Sequence, residues 1–231
     1  MFSKWEDLPD FLRIPEVRPY WEVLNRKKAQ LVIKRIFDVA VSLILLVILA
    51  IPMLIISIMI KKDSPGPVFY RQERVTLYGK HFQIHKFRTM VSNADKIGAG
   101  VTVNGDSRIT RVGAKLRDVR LDELPQVIDI LEGNMSFVGT RPESVKYVEQ
   151  YIPEYRATLL MPAGVTSEAS IRYKDEASLL EGAADVDRVY VEEVLPEKMK
   201  YNLKCIKEFN ILRELATMFR TVFAVFGRDY E

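Results

Sequence analysis

Residues Lys34–Lys62 read KRIFDVAVSLILLVILAIPMLIISIMIKK, and from Val39 to Ile60 they hold 22 consecutive residues without a charge. At 1.5 Å per residue such a helix extends about 33 Å, enough for a hydrocarbon core of ~30 Å. Two readings follow. In the first the helix spans the bilayer with a kink at Pro52, which removes a backbone donor and clashes with the carbonyl one turn earlier. In the second it enters, bends at Pro52 and returns to the same face. Basic residues flank both ends, Arg26, Lys27, Lys28, Lys34 and Arg35 before and Lys61, Lys62, Arg71 and Arg74 after. A spanning helix carries its positive excess on the cytoplasmic side. Ser42 and Ser57 are placed to hydrogen-bond carbonyls around a bend, and Asp38 lies at pairing distance from Lys34 or Arg35 along a helix.

Outside this block the chain is polar. Of 231 residues, 28% are charged, 48% hydrophobic and 10% aromatic, which excludes a disordered chain. A net charge of +3 is too small for a nucleic-acid footprint, so no nucleic-acid partner is expected. The single Cys205 excludes an intramolecular disulfide and a multi-cysteine zinc site. His81 and His85 argue against a histidine metal cluster and read as polar strand residues. Glu6, Asp7, Asp10, Glu16 and Glu22 rule out a secretory signal in the first 30 residues, which places the bulk of the protein in the cytoplasm. Trp5 and Trp21, with Phe2, Phe11 and Tyr20, serve either as interfacial anchors or as packing against the domain. Towards the other end Met199, Leu203, Ile206, Phe209, Leu212, Leu215, Met218, Phe219, Val222 and Phe226 recur at helical spacing. Lys200, Lys204, Lys207, Arg213 and Arg220 are interleaved, as suits a helix lying on anionic lipid; a core-facing helix has the same apolar period.

Asp63-Ser64-Pro65-Gly66-Pro67 closes the apolar block with a turn. Val68–Thr76 and His81–Thr89 then predict a β-hairpin around Leu77–Lys80, and residues 91–113 a long loop. In RLDELPQVIDILEGN (Arg120–Asn134) the apolar spacing predicts a helix ended by Gly133. Pro125 belongs to a first turn, which puts Asp122 and Glu123 at the N-terminus. Two roles fit these acids. They can cap the helix and complement its dipole. Alternatively, with Arg117, Arg120 and Arg141 around them, they can bind a divalent cation and a diphosphate while one oxygen stays free to attack.

Five stretches follow the apolar block in order: SPGPVFYRQ (Ser64–Gln72), KFRTM (Lys86–Met90), DSRITRVG (Asp106–Gly113), LDELPQ (Leu121–Gln126) and GNMSFVGTRP (Gly133–Pro142). Together they closely resemble the bacterial sugar transferases, monotopic phosphoglycosyl transferases that start glycoconjugate assembly on a polyprenol carrier. The resemblance runs from about Lys34 to Pro142 and continues more weakly to Phe226. It implies an α+β, predominantly helical fold: a Pro-broken re-entrant membrane helix and a cytoplasmic domain with a β-hairpin and interfacial amphipathic helices. The division it implies is a re-entrant helix 34–62 and a catalytic domain 63–231, as in the short, catalytic-domain-only members; residues 1–33, which its motifs do not explain, are expected from their aromatics to form an N-terminal amphipathic interfacial segment.

The implied reaction moves a phosphosugar from a UDP-sugar to polyprenol (undecaprenyl) phosphate with Mg²⁺, releasing UMP. This is the first membrane step of glycan biosynthesis, at the cytoplasmic face of a bacterial inner membrane. By the same resemblance Asp122 is the nucleophile that forms an aspartyl-phosphosugar intermediate, and Glu123 is a Mg²⁺ ligand beside it or a polariser of the attacking group. Lys86, Arg117 and Arg141 match phosphate- or nucleotide-binding positions. Arg88 and Arg108 match motif positions too, with structural salt bridges to acids such as Asp106 as their other reading. Pro52 matches the helix-breaking position. Implied partners are the UDP-sugar, polyprenol phosphate, membrane lipid and downstream glycosyltransferases. The chain departs from the family at Thr140, where proline is usual, and at Pro162-Ala163-Gly164-Val165-Thr166-Ser167, so the sugar is not fixed. Two other readings are a non-catalytic membrane scaffold of a glycan-assembly pathway and a spanning hydrolase of nucleotide-sugars.

Overall fold

The computed structural model describes residues 2–94, 106–173, 179–180, 183 and 185–225. After two short turns come helices α1 (Arg18–Arg26) and α2 (Lys28–Asp63), then the antiparallel strands β1 (Phe69–Val75) and β2 (His81–Phe87). Helices α3 (Arg111–Asp118) and α4 (Gln126–Glu132) lead to β3 (Met135–Val138) and α5 (Val145–Val148). Strand β4 (Ala163–Thr166) pairs in parallel with β3, and α6 (Glu168–Arg172), α7 (Val186–Val189), α8 (Leu195–Lys207) and α9 (Ile211–Val225) complete the described chain. The fold is predominantly helical with a β-hairpin, as expected, and has a second small sheet, the parallel pair β3–β4, that was not.

The apolar block forms one continuous helix, longer at its N-terminal end than residues 34–62. Pro52 stands inside α2, which runs on through it, so of the kink or break that the sequence predicts the break is absent. One missing donor does not end a helix whose other backbone groups have no better partner in apolar surroundings. Ile44, Val47, Ile48, Ile51, Leu54 and Ile55 are exposed, whereas Lys34, Asp38, Ser42, Ile56 and Ile60 are buried on one stripe against the rest of the molecule.

Both ends of α2 are held by the same body. At the N-terminal end the Lys34 ammonium donates to the carbonyl of Val138 (2.9 Å) and pairs with Glu214. Arg35 donates to the carbonyls of Ile130 and Leu131 at 2.6 and 2.9 Å. Asp38 accepts from Ser136 Oγ (2.8 Å) and Phe137 N (3.3 Å), not from its own helix neighbours. At the C-terminal end Ile56 and Ile60 pack with Phe87, Val112 and Leu116, and Asp63 accepts from Val112 N at 2.9 Å. Ser57 Oγ donates to the Met53 carbonyl (2.7 Å). Ser42 Oγ is buried with no partner among the described residues.

The hairpin forms where alternation predicts it, with Phe69 opposite Phe87 and Val75 opposite His81. Phe82 and Ile84 face inward. Gly79 turns it at φ +78 under the ring of Phe11. Gly133, at φ +83, stops α4. Within the expected 91–113 loop, residues 95–105 lie outside the described chain, and Arg111–Gly113 already belongs to α3, capped by the Thr110 hydroxyl.

The N-terminal segment is built into the main core. Leu8, Leu12, Val17, Tyr20, Trp21 and Leu24 pack with Leu160, Leu203, Ile206 and Phe209. Trp21 is 9% exposed, and Trp5 packs against the same cluster with Arg18 stacked over both indoles. Tyr20, Trp21, Phe2 and Trp5 therefore take the packing role, whereas Phe11 is exposed; each fully buried large side chain contributes about 1.5–3 kcal/mol. The C-terminal stripe divides likewise. Met199, Leu203 and Ile206 of α8 are core, and the chain turns at Glu208–Asn210 before α9. Of these two helices α9 leaves an apolar face open, at Leu212, Phe219, Val222 and Phe223; Phe226 lies outside the described residues. Lys200, Lys207, Arg213 and Arg220 pair with Glu197, Glu154, Glu208 and Glu168.

Candidate active site

The acid pair sits on a tight 3-10 turn, Leu121–Glu123, entered through Arg120 in the left-handed region (φ 54). Such a conformation in a residue with a side chain is strained and persists where its surroundings hold it. Neither acid caps a helix: α4 starts only at Gln126, after Pro125, and no side chain caps it. The capping role therefore fails, because the proline delays the helix past the acids.

Three elements converge on Glu123. Lys86 near the end of β2 donates to Oε1 at 2.9 Å. Arg141, three residues beyond β3, grips both carboxylate oxygens, with Nη1 at 3.2 Å from Oε2 and Nη2 on Oε1. The Glu123 side chain is 11% exposed. Burial alone would raise its pKa, yet Arg141 and Lys86 hold it well below the usual carboxylate range. Burial lowers the pKa of Lys86, opposed by Glu123.

Asp122 is different. It has no hydrogen bond or ion pair among the described residues. Burial and then the charge of Glu123 push its pKa up, while Lys86, Arg117 and Arg141 pull the other way. Adjacent carboxylates thus have opposite environments, one saturated with cations and one bare. The bare one has its lone pairs available for a cation or an electrophile.

A cavity of about 480 Å³ opens beside the pair. Arg117, Asp118, Arg120, Glu123 and Arg141 supply its charge, Leu45 and Leu49 of α2 an apolar side, and Thr166, Ser170 and Thr221 hydroxyls. Asp122 and Lys86 do not line it. The loop that carries Arg141 is fixed by a glycine contact, since a Cβ on Gly164 would lie 2.1 Å from Gly139 N.

Of the residues singled out in the sequence, Asp122, Glu123, Lys86, Arg117 and Arg141 come together. Arg88 does not. It is buried at the exit of α2, donating to Ser64 O (2.7 Å), Ser64 Oγ (3.0 Å) and Pro65 O (3.0 Å), because the turn leaves carbonyls that need a donor there. Arg108 takes its structural role in a bidentate pair with Asp106. His85 is a strand residue locked between Asp129 (2.8 Å) and Arg71. Gln126, Ser170 and Thr221 join the site without having been singled out, Gln126 lying inside LDELPQ; Thr166 belongs to the Pro162–Ser167 stretch whose departure from the family bears on the sugar pocket.

A glutamate braced by Lys86 and Arg141 thus stands next to a bare aspartate, beside a half-apolar cavity against an apolar helix. Residues 29–228 match the bacterial sugar transferase family, and the chain belongs to that family. Similar proteins include the UDP-N-acetylgalactosamine-undecaprenyl-phosphate N-acetylgalactosaminephosphotransferase of Aeromonas hydrophila, 34% identical over 193 residues (82% of this chain, 43% of the relative). The UDP-glucose:undecaprenyl-phosphate glucose-1-phosphate transferases of Caulobacter vibrioides and Escherichia coli are 35% and 34% identical, each over 199 residues. The alignments cover 85% and 84% of this chain, but 70% and 40% of those relatives. The chain thus spans about two fifths of the Aeromonas and Escherichia proteins.

Proposed function

We propose that this chain transfers a phosphosugar from a UDP-sugar to polyprenol phosphate, releasing UMP, and so acts early in glycan assembly at a bacterial membrane. The observation that carries the reading is the asymmetry of the pair: Glu123 bound to Lys86 and Arg141, Asp122 bare beside it. In the first step the Asp122 carboxylate forms a bond to the β-phosphorus of the donor. The bond to the UMP oxygen breaks and UMP leaves with the electron pair. In the second step a phosphate oxygen of the acceptor attacks the same phosphorus and returns the carboxylate. Lys86, Arg117 and Arg141 balance the charge on the phosphates, and Arg141, through Glu123, fixes the turn that presents Asp122. Two displacements let an aqueous donor and a lipid acceptor use one small site in turn.

Mg²⁺ belongs to this proposal. The bare Asp122 carboxylate suits a hard cation that takes one or two carboxylates plus substrate phosphates. Glu123 suits it less, since both its oxygens already accept from cations. When bound, Mg²⁺ neutralises diphosphate charge and lowers the pKa of Asp122.

The re-entrant reading of α2 is also a proposal. A helix that crosses a bilayer carries one end away from a domain on the other side, yet here residues at both ends are gripped by one body. With basic flanks at both ends, this supports entry and return on the cytoplasmic face, the exposed middle lying in lipid. The exposed face of α9 would rest on the same surface. The reading of function is tested by incubating the full chain in detergent with UDP-sugars, polyprenol phosphate and Mg²⁺ and following UMP. Release that depends on the lipid acceptor supports it; release of free sugar phosphate without acceptor points to a hydrolase and refutes it.

A further inference from the structure

The cavity beside the acid pair contains a polar group that the proposed reaction does not use. Gln126, the first residue of α4, is 1% exposed and lines the cavity. Neither its amide oxygen nor its amide nitrogen has a hydrogen-bond partner among the described residues. A buried polar atom left unpaired costs about 1–3 kcal/mol, so an amide with both ends unpaired in a cavity marks a place where a ligand supplies the partners.

We infer that Gln126 reads the sugar of the donor, by hydrogen-bonding the substituent on the ring carbon next to the phosphorylated one. This rests on the phosphosugar-transfer reading above. The position follows from the backbone. Leu124 and Pro125 are both in the right-handed helical region, so Glu123 and Gln126, three residues apart, have Cβ atoms about 5–6 Å apart. Glu123 holds Arg141, where the phosphate to be transferred is bound. The group one helical turn from that phosphate is the sugar; the nucleobase lies beyond a second phosphate and a ribose.

The chemistry agrees. An amide offers an acceptor and a donor side by side, the complement of a hydroxyl or an acylamino group. A phosphate alone would leave the amide oxygen facing another acceptor. A second wall carries hydroxyls at Thr166, Ser170 and Thr221. Thr221 Oγ1 donates to the Thr217 carbonyl at 2.9 Å and lies 2.7 Å from Thr166 Oγ1. Thr221 therefore accepts from Thr166, which leaves Thr166 Oγ1 as an acceptor towards the cavity. Val127, Val165 and Ile171 line the space as well. A ring with apolar faces and a hydrogen-bonding rim fits such a space.

The test compares wild type with Gln126→Met, which keeps length and removes both polar atoms. With the best UDP-sugar of a panel (glucose, galactose and their 2-acetamido forms), kcat/KM for UMP release is expected to fall 10–100-fold. The UDP-2-deoxy analogue of that sugar should suffer a similar loss on wild type and little further loss on the variant. Tm in detergent should stay or rise, since an unpaired buried amide has been removed. Equal losses on both donors, or a fall in Tm that accompanies the loss, overturn the inference. A second arm, without acceptor and in EDTA so that no phosphosugar is transferred to the protein, reads ligand-induced shifts in Tm. The UDP-sugar should stabilise wild type more than UDP does, and Gln126→Met should erase the difference. If wild type releases no UMP from any donor, the proposed reaction fails, and this arm still decides Gln126: no extra shift over UDP overturns its role.

Discussion

Lys86→Met removes one of the two cations on Glu123 and leaves the rest of the turn in place. The Glu123 side chain is 11% exposed and that of Lys86 20%, so the pair is largely out of water. Removing one partner of a buried pair costs about 3–5 kcal/mol, mostly from the charge left behind. Arg141 still holds Glu123 and the desolvation of Lys86 is relieved, which lowers the expectation to about 2–3 kcal/mol. At ~2–4 °C per kcal/mol for a chain of this size, Tm should fall by roughly 4–12 °C. Lys86→Met/Glu123→Gln removes the stranded charge as well and should recover most of the loss, a coupling of about 2 kcal/mol. The variant also changes the rate profile. Lys86 is one of the charges that restrain the raised pKa of Asp122, so its loss pushes that pKa higher. The acid limb of UMP release, where Asp122 becomes protonated, should move to higher pH. Thermal unfolding of both variants in detergent and a pH series of initial rates make the measurement. Equal Tm for the single and double variants, or a limb that moves to lower pH, refutes the reasoning.

Asp122→Asn should be more stable than wild type. Its pKa is raised in the fold, so the ionised carboxylate costs stability above that pKa and nothing below the ordinary carboxylate range. The gain in Tm at neutral pH should vanish in acid. Asp38→Ala strips the acceptor from Ser136 Oγ and Phe137 N. At about 1–3 kcal/mol for a stranded buried donor, hydrogen exchange should show the start of α2 loosening from β3. Gly164→Ala puts a Cβ 2.1 Å from the Gly139 backbone and should cost roughly 1–3 kcal/mol or more, with kcat falling as Arg141 shifts.

How far each feature was legible follows from the range of the interactions that make it. The hairpin and the stop at Gly133 rest on alternation and on one glycine, both local, and the structure has them where they were expected. The membrane block was legible from composition, but its continuity through Pro52 was not, because neighbouring hydrogen bonds decide whether a helix survives one proline. Of the two readings of Arg88 the structural one is nearer, but its partners are the Ser64 and Pro65 carbonyls and not acids, because a motif position does not reveal which carbonyls need a donor. Trp5 and Trp21 suit lipid or core equally, and only the burial of Trp21 against the Leu160–Phe209 cluster separates the two. Strands β3 and β4, four residues each, are too short to show a period. Asp122, Glu123, Arg117 and Arg141 were legible as acids ringed by arginines, Lys86 and the division of roles only through the resemblance; the opposite environments of the two acids came only from packing.

The central claim is that Asp122 carries the phosphosugar between two displacements. Intact mass spectrometry of the full chain with UDP-sugar and Mg²⁺, without acceptor, tests it most directly. The account expects a stoichiometric burst of UMP and a mass increase of one phosphosugar located on Asp122. Polyprenol phosphate should clear it, and Asp122→Asn should show neither burst nor adduct. Normal turnover by Asp122→Asn, or wild-type transfer to polyprenol phosphate with no acceptor-free burst and no adduct, contradicts it.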